Sequence, residues 1–310
     1  EVGKRLVSHT KIAATGYTGS RGAGLVLKEA ADKAGKPVYM ELSSINPVYV
    51  LPGALKERSE EIVEEFVTSC LMGTGQFCTN PGIVVLIDGP ESNAFIEQTR
   101  EQFGSAPVGT LLTGSVERSM VESVATLQKA GAEIVIGGQP GGGNGYSFNN
   151  TLLRVSGDAF LADPEALQTE AFGNESLLVI AKDADQAVEV ARHFEGNLTG
   201  CIYSDSAGAD ESLYVRVVAV LRKKVGRLLN DKMPTGVAVV PSMNHGGPYP
   251  STSHPGFTAV GMPASIVRFA MLESYDNVRE HRLPTELRDQ NPSDIWRQID
   301  GAWTRGDVSV

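Results

Sequence analysis

Lys11-Ile-Ala-Ala-Thr15-Gly16-Tyr-Thr-Gly19-Ser20-Arg-Gly-Ala-Gly24, then Leu25-Val-Leu-Lys-Glu-Ala-Ala31 and Val38-Tyr-Met-Glu41-Leu42, spells strand, glycine turn, helix and strand. Ile12 to Thr15 reads as the first strand and Gly16 to Gly24 as the turn. Ala23 to Ala34 reads as the helix, with Leu25, Leu27 and Ala31 on its apolar side. Gly35 and Pro37 end the helix, as a glycine after the last turn and a proline beyond it do. Val38 to Leu42 is the second strand. Two strands joined by a helix of this length pair in parallel, because a parallel pair needs a long crossover. The expectation is therefore an α/β chain.

The alternation continues outward from this unit. Val48 to Leu51 reads as a strand, and Ser59 as the N-cap of a helix whose Ile62, Val63, Phe66, Val67 and Cys70 share one face. Ile83 to Ile87, Ala132 to Ile136, Leu177 to Ala181, Thr199 to Tyr203, Gly226 to Asn230 and Val237 to Val240 read as further strands. Ser115 to Ala130, Ala184 to Phe194 (capped by Asp183) and the segment around Leu213 to Leu221 read as helices. Gly137 to Asn150 is a glycine-rich surface loop. Met243 to Pro263 is irregular, Ser265 to Leu272 is expected to return to a sheet, and the tail holds a short helix around Ile295 to Ile299. The expected organisation is a dinucleotide-domain remnant at 1–43, a catalytic domain at 44–245, and an irregular segment with tail at 246–310.

Composition narrows the function. With 41% hydrophobic and 21% charged residues over 310 positions, the chain is long enough for a sizeable core without disulfides or structural metal. A net charge of −10 argues against nucleic acid or an anionic membrane surface as partner. Three cysteines (Cys70, Cys78 and Cys201) give no disulfide framework and fit a reducing compartment, hence the cytoplasm. No spacing of cysteine or histidine marks a metal site. The chain opens on Glu1 and runs at once toward a strand, which points to the later part of a longer polypeptide.

Several local features bear on chemistry. Gly73-Thr-Gly75-Gln-Phe-Cys78-Thr-Asn80-Pro-Gly82 presents a cysteine on a glycine-rich loop, between an amphipathic helix and an apolar strand. A nucleophilic thiolate needs such presentation, and a core cysteine does not. Cys70 and Cys201 read as core. Glu41 ends an apolar strand and is either a general base or a solvated strand end. The turn Gly19 to Gly24 leads into a helix whose first amides suit a phosphate, although it is not the GxGxxG fingerprint. Glu170-Ala-Phe172-Gly173 is an acidic–aromatic loop, either a ribose contact or an ordinary turn. His245 and His254, in the irregular segment, either line a site or are solvated loop histidines, and the second reading is preferred.

The order of these pieces resembles the aldehyde dehydrogenase superfamily. Thr18-Gly19-Ser20 with Gly24 is followed by Glu41-Leu42, then Gly75-Gln76-Phe77-Cys78, then Glu170-Ala171-Phe172-Gly173. Met40-Glu41-Leu-Ser-Ser-Ile-Asn46-Pro47 and Gly246-Gly-Pro-Tyr-Pro-Ser-Thr-Ser253 are most similar to its α-ketoglutaric semialdehyde (2,5-dioxopentanoate) dehydrogenase branch, close to the NADP-dependent fatty aldehyde dehydrogenases. Asn174 stands where many members carry proline. The resemblance implies a three-layer catalytic domain with a βαβ remnant of the NAD(P)-binding domain. It implies Cys78 as nucleophile and Glu41 as the base that activates water. It further implies Gly19, Ser20, Gly24, Glu170 and Phe172 as contacts of NAD or NADP, no metal, a small aldehyde as substrate, and a homodimer or homotetramer. An upstream segment with an oxyanion-hole asparagine and a ribose-reading lysine is expected to be missing. That leaves open an inactive, oligomerising fragment as the alternative.

Overall fold

The computed structural model describes residues 1–238, 240, 242–256 and 263–308. They form two compact units, Glu1–Phe269 and Ala270–Val310.

The first unit opens with helix α1 (Val2–Ser8), which the sequence reading had passed over on its way to a strand. Strand β1 (Thr15–Thr18), helix α2 (Arg21–Lys33) and strand β2 (Val38–Glu41) then form the expected parallel βαβ piece. β1 lies three residues later than expected. Gly16 belongs to the strand, paired with Tyr39 of β2, and a Cβ there would come within 3.3 Å of the Phe269 ring. The helix begins at Arg21, and its buried positions are Gly24 and Ala31; Leu25 is exposed.

A seven-stranded sheet follows. It contains β3 (Val48–Val50), β4 (Ile83–Ile87), β5 (Glu133–Ile136), β6 (Thr151–Ser156), β7 (Glu175–Ala181), β8 (Asn197–Tyr203) and β9 (Val225–Asn230). The order is β5-β6-β7-β4-β3-β8-β9, parallel throughout except for the antiparallel β5–β6 edge pair. Strands covered on both faces must be apolar without alternation. Ile83, Val84, Val85 and Leu86 meet that demand, and all are buried. Ile83 and Val85 face a core shared with α5 (Gly114–Lys129), α7 (Ala184–His193) and α8 (Glu211–Leu221). Val84 and Leu86 face a second core with α3 (Pro52–Leu71) and α4 (Pro90–Ser105). Helix, sheet and helix make the three layers.

Four expectations are corrected. α3 starts at Pro52, and its amides at Gly53 and Ala54 are capped by the Asp210 carboxylate at 2.8 and 3.0 Å. Ser59 is not the cap; it follows a kink at Arg58, and its Oγ is buried without a partner. Val237, Ala238 and Val240 form no strand, and Val239 lies outside the described residues. Pro263–Phe269 is a 3-10 helix rather than a returning strand. In the second unit, the helix expected around Ile295 to Ile299 is strand β10 (Arg297–Ile299), paired antiparallel with β11 (Ala302–Thr304). Helices α4 and α6 (Gly157–Ala162) and strand β6 went unread in the sequence. No helix among the described residues is long and apolar enough to cross a membrane.

Candidate active site

Cys78 sits at the amino end of β4, on the loop that leaves α3. Gly75 lets this loop in: its φ is +66°, and a Cβ there would stand 1.9 Å from the Gly173 carbonyl. A substituted residue would be strained in its backbone and would collide with rigid main chain. Gly75→Ala is therefore expected to lower stability by about 3 kcal/mol or more. Chemical denaturation would read this as an earlier midpoint.

Asn46 holds the far side of the loop. Its Nδ2 donates to the Cys78 and Asn80 carbonyls at 3.0 and 2.9 Å, and its Oδ1 accepts from Thr199 at 2.8 Å. Asn46 adopts φ +47°, a left-handed conformation that asparagine tolerates better than most residues. Asn197 in turn accepts the Ile45 and Asn46 amides at 2.8 and 3.1 Å. Buried polar side chains thus fix the cysteine backbone.

Glu41 is 2% exposed. It ends β2, which is bordered by the irregular segment: Leu42 N–H donates to the Ser251 carbonyl at 2.8 Å, and Ser253 N–H to Met40 at 2.9 Å. The same segment delivers His245, and this corrects its reading as a solvated loop residue. Its Nε2 lies 3.1 Å from Glu41 Oε1 and 3.6 Å from Cys78 Sγ. Its Nδ1 lies 3.0 Å from a terminal nitrogen of Arg227 on β9. Hydrogen bonding to Cys78, then to Glu41, pushes the His245 pKa up, toward about 9, against burial. Arg227 works the other way, since a proton on Nδ1 would face an N–H donor.

The expected absence of a metal-type cluster also changes in three dimensions. Glu41, Cys78 and His245 bring carboxylate, thiol and imidazole atoms within 4.8 Å of one another. His254, by contrast, takes no part. It lies on Tyr39, ring centroids 4.7 Å apart, and bonds to Ser253 Oγ.

A cavity of about 530 Å³ joins the other predicted positions. Gly19, Ser20, Glu41, Cys78, Glu170 and Phe172 all line it. Gly24 does not line it; it lies one turn inside α2, against Leu42 and Tyr17. Glu41 Oε2 is buried there with no hydrogen-bond partner. The Glu170 carboxyl is enclosed and accepts the Ser44 amide at 3.2 Å. Burial pushes its pKa up to about 7, with the Ser44 amide holding it back. The other two cysteines are core, as read: both are fully buried, and burial pushes their thiols up.

The Glu170 shift has a measurable consequence. Between the ordinary carboxylate range and about pH 7 the folded chain holds a proton that the unfolded chain has released. Stability therefore falls as pH rises through that window and is level above it. Glu170→Gln is expected to stabilise the protein by up to about 3 kcal/mol near pH 8 and to change nothing near pH 4. Thermal melts at the two pH values check this.

A cysteine-bearing loop beside a buried carboxylate, on a three-layer α/β scaffold with a βαβ appendage, defines a class. Residues 1–237 match the profile of the aldehyde dehydrogenase family, and the chain belongs to that family. It is 39% identical to alpha-ketoglutaric semialdehyde dehydrogenase 2 of Azospirillum brasilense over 97% of its length, and 33% identical to alpha-ketoglutaric semialdehyde dehydrogenase of Acinetobacter baylyi over 98%. It spans 57% and 58% of those two proteins. Among solved structures, a 1-pyrroline-5-carboxylate dehydrogenase superimposes with TM-score 0.69 at 25% identity, over 84% of this chain and 50% of that one. A betaine aldehyde dehydrogenase of Staphylococcus aureus, in complex with NAD+, does so with TM-score 0.66 at 16% identity, over 81% and 51%. This second likeness speaks for the fold alone.

Asn46, Asn197 and Arg227 were not read as site residues in the sequence, and His245 was named as site-lining only as the less favoured of two readings. Only His245 carried a usable signal, as a histidine opening a Gly-Gly-Pro turn in an otherwise irregular segment.

Proposed function

We propose that this chain carries the cysteine chemistry of an NAD(P)-dependent aldehyde dehydrogenase that oxidises 2,5-dioxopentanoate to 2-oxoglutarate. The observation that carries the reading is the shared cavity, which sets Cys78 and Glu41 on the same walls as Ser20, Glu170 and Phe172.

Cys78 Sγ attacks the aldehyde carbon and forms a thiohemiacetal. The loop clamped by Asn46 and Gly75 holds the sulfur in place for attack, so little ordering is left to the reaction itself. Oxidation of the thiohemiacetal leaves an acyl thioester on Cys78. Glu41 then takes a proton from a water that attacks the thioester carbon, releasing the carboxylic acid. The unpartnered Oε2 of Glu41 is the atom that serves this base role.

The residues present fit a nicotinamide nucleotide. Ser20 starts α2 without spending its hydroxyl on a cap bond, so hydroxyl and first-turn amides are available to a phosphate. Glu170 on the same cavity offers a carboxylate to ribose hydroxyls, and Phe172, 38% exposed, offers a flat apolar face. The bound nucleotide would supply the hydride acceptor. The substrate assignment rests on the two semialdehyde dehydrogenase relatives.

The reading is tested by following nicotinamide reduction by the purified protein with 2,5-dioxopentanoate and with a long-chain aldehyde, each with NAD+ and with NADP+. Turnover of the dioxo acid well above the fatty aldehyde is the expected result. Preference for the long-chain aldehyde would move the substrate to the fatty aldehyde class.

A further inference from the structure

His245 stands between Arg227 on one ring nitrogen and Glu41 with Cys78 on the other. A guanidinium carries only N–H donors, so Nδ1 must accept. A neutral imidazole has one N–H, and it is then on Nε2. We propose that Arg227 is a positioning residue that fixes His245 in its Nε2–H tautomer, so that the ring meets Cys78 and Glu41 as a hydrogen-bond donor and denies its Nε2 lone pair to a metal ion.

Arg227 is built into the place from which it acts. It is 8% exposed on β9, on the same face of the strand as the buried Val225 and Leu229. The adjacent Gly226 lets the His245 segment lie directly on β9: a Cβ there would stand 1.6 Å from the Gly246 carbonyl. Nδ1 is thereby pressed against the guanidinium instead of facing water. An arginine stays charged at every working pH, so the donor at Nδ1 does not switch off.

Two consequences follow for the neighbours. First, the Nε2 proton lies between Glu41 Oε1 and Cys78 Sγ, where it supports a thiolate and cannot receive the thiol proton. Base chemistry therefore falls to the free oxygen of Glu41. Second, the cluster escapes a hazard of its own composition. Thiolate, imidazole and carboxylate make a zinc donor set, and tetrahedral Zn–S and Zn–N bonds of about 2.3 and 2.0 Å put sulfur and nitrogen about 3.5 Å apart. Cys78 Sγ and His245 Nε2 are separated by nearly that distance, 3.6 Å. A metal-binding histidine places its other nitrogen, as N–H, against an acceptor. Arg227 presents the opposite polarity, and so keeps thiophilic cations off the nucleophile.

The value of this to catalysis rests on the reading of Cys78 given above. The tautomer does not, and its test needs neither aldehyde nor cofactor. Long-range proton–nitrogen NMR of the 15N-histidine-labelled chain, with His245→Gln to assign the ring and pH raised through the His245 titration, is expected to show a protonated Nε2 throughout and a bare Nδ1 once the ring is neutral. A neutral ring protonated at Nδ1 would overturn the proposal.

Cobalt(II) titration supplies the second readout. The native protein should show no thiolate-to-cobalt charge-transfer band. Arg227→Met should bind cobalt at least about tenfold more tightly and show the band, which Cys78→Ala in that background removes. Arg227→Lys, whose ammonium also only donates, should stay close to the native protein. Equal cobalt binding by the native protein and folded Arg227→Met, or a band that survives loss of Cys78, contradicts the assignment. If Arg227→Met does not fold, the NMR result on the native chain decides.

Discussion

Cys78→Ala is expected to abolish aldehyde oxidation, with a loss of at least about 10,000-fold in kcat and an unchanged circular dichroism spectrum. Without the sulfur no covalent intermediate forms, and the remaining groups can only bind and polarise substrate; removal of a nucleophile elsewhere costs this much or more. The side chain is half-buried at the edge of a cavity and its backbone is held by Asn46 from outside the loop, so alanine should leave the fold intact. Cys70 and Cys201 give the matching contrast. Both are fully buried in the core on α3 and β8, so their replacement should cost stability. Substantial turnover by Cys78→Ala would remove the thiohemiacetal step from the account.

Glu41→Gln is expected to separate the two halves of the reaction. Glutamine keeps the volume and can still occupy the end of β2, where the backbone pairs with Thr18 and Thr252. It cannot take a proton from water. Attack by Cys78 and oxidation to the thioester should proceed once per site, and hydrolysis should slow by about 100- to 10,000-fold. Rapid mixing would then show a burst of one reduced nicotinamide per Cys78, followed by a near halt. A steady rate equal to that of the native protein would mean that another group activates the water.

Much of this site was legible in the sequence, because its pieces are local. Glu41 ends a strand, Cys78 lies on a glycine loop, and Glu170 and Phe172 lie on a turn before β7. Each reads as weak evidence alone, and it is their order, which resembles that of the family, that joined them into one site. The structure gathers six of the seven predicted positions around one cavity, and Gly24 alone stands back in the helix.

The layered α/β fold was legible for the same reason: the apolar runs of β4, β7 and β8 admit little besides a doubly covered sheet. What escaped depends on contacts distant in sequence. Asp210 caps α3 from more than 150 positions away, a role that local capping rules assigned to Ser59. Gly16 looked like a turn residue and is a strand residue, because its backbone pairs with Tyr39 on β2. Arg227 lies within the strand read at Gly226 to Asn230, where nothing in the sequence singled it out, and is buried against His245. His245 itself lies in a segment without periodicity. Its place is set by the pairing of residues 251–253 with β2 and by the close approach of Gly246 to Gly226. Neither can be read from spacing.

The most direct test of the central claim is peptide mass spectrometry of Glu41→Gln, quenched in acid after mixing with 2,5-dioxopentanoate and NAD+ or NADP+. A single acyl group, carried as a thioester on the peptide that contains Cys78 and matched by an equal amount of reduced nicotinamide, is the predicted result. Reduced nicotinamide with the Cys78 peptide unmodified, or an acyl group on any other residue, would contradict it.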